Sequence, residues 1–214
     1  MRTWCVLVGR SFPRPAQLGS FVTQHQHSRR SQPPGDMGSS RFMAWTAPDV
    51  QRVNPPYTAD ERTRLDSWLD FQRATLRHKC AGLTGEQLAK RPVASSQLSL
   101  LGLVRHMAAN ERIWFRIRFA RAGIGDLYES PGHPEGGEFA LADPATAETD
   151  FATYMEEVAQ ARAVVRGRSL DETFGDENVT VDLRWLYAHM IGEYARHNGH
   201  ADLIRELVDG TTGL

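Results

Sequence analysis

Apolar residues recur at three- and four-residue intervals in four separate stretches of the chain, with polar and turn-forming residues between them. Leu65, Trp68, Leu69, Gln72 and Leu76 keep that spacing and predict a first helix over roughly 59–81. Thr58 and Glu61 before it form a capping-box pair. A second helix starts near Ser96 or Ser99 and runs to about Ala122, with Leu100, Leu103, Val104, Met107, Trp114 and Phe115 as its stripe. The third runs from Pro144 or Ala145 to Gly167, capped by Asp143, with Phe151, Tyr154, Val158, Ala161 and Val165 along one face. The fourth spans Asp182 to Gly210, with Thr180 or Asp182 as its cap. Between the first two, Thr84–Leu88 predicts a short turn and Pro92 breaks the chain. No strand or repeat is predicted. The expected fold is all-α, a four-helix bundle with a long connection over about 123–144 between helices two and three. Connections of that length often lie over binding sites; His133 within it reads as a solvated loop residue.

Composition changes this picture at one end only. Residues 1–42 are rich in Arg, Ser, Gln and Pro, with Asp36 their only acid. They predict a disordered or non-native extension ahead of a bundle over 43–214, with Met37 or Met43 as a plausible start. The net charge of −1 and the absence of a long apolar run argue against nucleic-acid and membrane partners. Cys5 and Cys80, the two cysteines, stand far apart. They exclude a disulfide framework and a Cys-based zinc site and suit a reducing cytoplasm. Cys80 reads as a small buried hydrophobe rather than a reactive thiol.

The fourth helix carries the chemistry. His189, Glu193 and His197 follow one another at intervals of four, and His200 comes three later. Such residues share one helix face, and here that face also holds Leu186, Met190 and Ile204. Imidazoles and a carboxylate on a half-apolar face are costly to bury without a partner, and a divalent metal is one. The competing account is an ordinary His189–Glu193 hydrogen bond beside a charged, solvated face. A bundle can complete a metal site with a residue from a facing helix, and His106 beside the stripe of helix two is placed for that. His106 also fits a hydrogen-bonded core histidine. Gly199 in mid-helix would be explained by close approach of a neighbour or by a local irregularity.

LSLLGLVRHMAANERIWF followed by LRWLYAHMIGEYARHNGHADLIRELVDGTTG strongly resembles the DinB-like (YfiT-like) metalloprotein superfamily. Within it, the chain looks like the actinobacterial branch of mycothiol-dependent S-transferases and maleylpyruvate isomerase, over roughly residues 44–214. The resemblance implies a divalent metal, zinc foremost and nickel as an alternative, held by His106, Glu193 and His197. Many relatives have His where this chain has Glu193. His189, His200, Asn110 and Arg196 are expected beside these ligands, orienting them or touching substrate; no catalytic residue is assigned. The implied function is cytoplasmic, metal-dependent transfer of mycothiol or a similar low-molecular-weight thiol to a small electrophile in detoxification. The alternative is a stress-related metal-binding bundle without turnover. Trp114 and Trp185, expected on the surface, would suit a homodimer.

Overall fold

The computed structural model describes residues 45–129, 132 and 137–213. The expected extension over 1–42 and His133 lie outside the described residues. All the elements among the described residues belong to one unit, Ala44–Leu214.

Helix α1, Glu61–Cys80, begins at Asp60, whose carboxylate accepts from the Thr63 amide at 2.9 Å. Asp60 therefore takes the role expected of Thr58 with Glu61. The face α1 buries is Leu69, Arg73, Leu76 and Cys80, while Trp68 is 43% exposed and lies edge-on to Phe71. Helix α2, Gly85–Ala89, has a full capping box from Thr84 and Gln87.

Helix α3, Leu100–Glu111, starts where the Ser99 hydroxyl accepts from the Gly102 amide at 3.0 Å. His106 is its one residue that is not fully buried. The chain continues as a π-helical segment, Arg112–Phe119, rather than as α-helix to Ala122. Arg112 and Arg116 on it both bind the buried Glu157 carboxylate, at 2.6 Å and 2.9 Å.

A 3₁₀ turn, Pro144–Thr146, capped by Asp143, leads into helix α4, Ala147–Val165. All five residues predicted for its stripe are buried. Two short strands then pair antiparallel, β1 (Thr173–Gly175) with β2 (Thr180–Asp182), with Phe174 opposite Val181. Gly175 is required there: its φ is 139°, and a Cβ would lie 2.0 Å from the Val179 carbonyl oxygen. Helix α5, Leu183–Asp209, is capped by Asp182, which accepts from the Trp185 amide at 2.7 Å, and ends at Gly210 with φ 77°.

The main elements are thus helical. α1 packs chiefly along α5 and α3 along α4, with α3 also touching α5. The centre is partly polar. Arg73 of α1 forms a two-pronged ion pair with Glu111 of α3, at 2.8 and 2.6 Å, and Tyr194 of α5 donates to the same carboxylate at 2.7 Å. Trp114, expected on the surface, is only 6% exposed and packs on Trp185, which is 39% exposed. Of the two aromatics expected to suit a dimer, Trp185 is exposed and Trp114 is buried against it. No helix among the described residues is long and apolar enough to cross a membrane.

Candidate metal centre

The buried residues of α5 recur every three or four positions, and Glu193 and His197 fall on that face where an apolar pair would normally sit. They are 8% and 9% exposed. Burial of α5 against α3 carries them toward His106. His106, Glu193 and His197 each offer a donor atom, and the three atoms all lie within 4.8 Å of one another. Within α5, His197 Nε2 lies 3.6 Å from Glu193 Oε2. The His106 and His197 rings meet edge to face, 4.7 Å between centroids.

Neighbours outside the trio also meet both rings. His197 Nδ1 faces His200 Nδ1 at 3.4 Å, leaving Nε2 toward Glu193. His106 Nδ1 faces the carboxylate of Glu138 at 3.1 Å, and its Nε2 lies 3.0 Å from the Asn110 amide nitrogen. His189 is placed elsewhere. It lies in an aromatic stack, parallel to Trp185 at 4.9 Å and 4.4 Å from Trp114, one turn before Glu193. Arg196 is on the exposed side of α5 and acts on Glu193 through its charge. Of the four residues expected beside the ligands, His200 and Asn110 touch the group directly.

The protonation states suit cation binding. Burial pushes the His197 imidazole below its usual value, against the pull of Glu193, so it is neutral in neutral solution. The His197 ring 3.6 Å away, the first of several neighbours, holds the Glu193 carboxyl down against the effect of burial. Burial would raise Glu138, but its hydrogen bond with His106, its own backbone amide and the nearby Arg105 together keep it low. Two imidazoles and one carboxylate are borderline donors of the kind zinc and nickel take. Zinc bonds of about 2.0–2.2 Å put tetrahedral donors about 3.3–3.6 Å apart. The His197–Glu193 pair already meets that spacing, and a pair at the 4.8 Å limit needs closure of about 1.2–1.5 Å. The donor set fits a divalent ion.

Sequence reasoning missed Glu138. It sits in the irregular stretch before α4, where no periodicity ties a position to a face. Its only signal is a carboxylate beside an aromatic, Glu138–Phe139, in a connection expected to lie over a site. The described end of that connection does so: the Phe139 ring packs on His106 at 5.2 Å.

No curated protein sequence matches the chain. The family model described as mycothiol-S-transferase matches residues 64–210, well over half of the chain and inclusive of His106, Glu138, Glu193 and His197. The chain belongs to the mycothiol-S-transferase family.

Proposed function

We propose that the protein is a divalent-metal-dependent S-transferase that adds mycothiol, or a similar low-molecular-weight thiol, to a small electrophile. On this reading His106, Glu193 and His197 hold the metal, zinc foremost with nickel as the alternative, and the four long helices form a bundle around it. One observation carries it: two imidazoles and a carboxylate from α3 and α5 converge within 4.8 Å in a chain of a thiol-transferase family. A cation held there would favour the thiolate, the nucleophilic form, of a co-substrate thiol bound beside these residues.

The chain's own residues do the rest. His197 and Glu193 present a neutral ring and an ionised carboxylate, so the three donors carry a single negative charge. One carboxylate rather than two leaves a loaded site with net positive charge, which favours an anionic partner. Burial of Glu193 and His197 limits water around the donors. Cys80 offers no rival nucleophile: it is fully buried, and burial pushes its thiol up to about 12. Co-substrate and reaction agree with a reducing cytoplasm.

Thiol-dependent consumption of monochlorobimane tests this reading. Metal-loaded protein should accelerate it above the uncatalysed rate, and chelator-stripped protein should not. Tight metal binding with no acceleration for any thiol would instead support a binding protein without turnover.

A further inference from the structure

Glu138 is not a loosely held surface acid. Its side chain is 13% exposed, and the backbone that carries it is fixed at several points. Its carbonyl accepts from Arg105 Nε at 3.0 Å, while the same guanidinium binds both oxygens of Asp150 on α4 at 3.0 Å. Arg91 donates to the next two carbonyls, of Phe139 and Ala140, at 2.7 and 3.0 Å. The Leu141 amide closes a turn on Gly137, and the Gly137 amide reaches the Tyr128 carbonyl. On the inner side Phe139 lies on Gly102, where a Cβ would come within 2.7 Å of its ring.

This frame brings the Glu138 carboxylate to Nδ1 of His106 at 3.1 Å. An ionised carboxylate only accepts, so Nδ1 carries the hydrogen and Nε2 keeps its lone pair. The Asn110 amide nitrogen, 3.0 Å from Nε2, marks the same atom as the acceptor. We propose that Glu138 is a positioning residue: it fixes the tautomer and ring orientation of His106 so that Nε2 points to the donors of Glu193 and His197. A carboxylate on the far nitrogen also strengthens an imidazole as a ligand. The inference rests on the reading of His106 as a metal ligand, but its first consequence, the tautomer, exists without metal.

Two measurements on the full chain test it. In metal-free, ¹⁵N-histidine-labelled protein at pH 8, His106, assigned by loss of its signals in His106→Gln, should be the Nδ1–H tautomer. Glu138→Ala should weaken that preference, which Asn110 then holds alone, and Glu138→Gln, which keeps an acceptor oxygen, should largely restore it. In zinc competition against a chromophoric chelator, Glu138→Ala should bind about 10- to 100-fold more weakly, with Glu138→Gln between it and wild type. A merely structural role would lower the melting temperature of Glu138→Ala without changing the tautomer. A Glu138→Ala protein with wild-type tautomer and wild-type zinc affinity would overturn the proposal. If wild-type protein takes up no zinc, the metal reading fails, and the tautomer measurement still decides the role of Glu138.

Discussion

His197 is pulled two ways. Burial and the neighbouring His106 and His200 disfavour its charged form, while the Glu193 carboxylate 3.6 Å away favours it, and burial wins. Its folded value is depressed, so the proton is already off at neutral pH and little has to be displaced when a cation binds. As pH falls, a proton competes with the ion for the one basic nitrogen of each ligating ring. Zinc affinity measured by competition should be nearly constant from pH 8 to 7 and weaken steadily below about 6. Affinity that is flat down to pH 5 would speak against histidine ligation. Cys80 gives a second residue-level expectation. With its thiol raised to about 12, on the order of one molecule in 10⁴ is thiolate at pH 8. In a Cys5→Ser background, a disulfide reagent such as DTNB should label Cys80 only after denaturation; rapid labelling of native protein would contradict its burial. Single residues on α5 are legible in the sequence because helix spacing places Glu193 and His197 together. Glu138 is not, because only the packing of a loop decides which carboxylate reaches His106.

At the scale of elements, α1 shows where apolar spacing misleads. The pattern assigns Trp68 to the buried face, yet Arg73 occupies it, since Glu111 and Tyr194 supply a charge and hydrogen bonds that a lone arginine lacks. Nothing in a single helix's pattern reveals a partner on another. Glu111→Ala leaves Arg73 buried without its counter-charge and should destabilise by about 3–5 kcal/mol, a melting shift of about 6–20 °C. Thermal unfolding by circular dichroism measures it, and a shift under about 2 °C would mean the pair holds little together. α4 matches its predicted stripe throughout, and it also buries Asp150 and Glu157, each against arginines from the preceding helical stretch. The β1–β2 hairpin escapes prediction since three-residue strands are too short to display alternation. At Gly199 the close-approach account fails, since nothing lies within 4 Å of the position a Cβ would take.

For the whole molecule, the helical class and the convergence of α3 with α5 follow from periodicity together with the resemblance, and neither alone would have chosen His106. The family match begins at residue 64, and every residue assigned to the site lies after it. Removing residues 1–42 is therefore expected to leave melting temperature and metal content unchanged; a large loss of either would show that the bundle needs them. The central claim is that Glu193 and His197, jointly with His106, hold the ion, and that His189 does not. The rival pair, His189 with Glu193, is shifted one turn toward the start of α5, where His189 instead stacks on Trp185. Zinc titration into His106→Ala, Glu193→Ala, His197→Ala and His189→Ala, each checked for wild-type helicity, separates the two most directly. The first three should lose tight binding, and His189→Ala should keep it within about 100-fold of wild type. Retention by His197→Ala together with loss by His189→Ala would contradict the account.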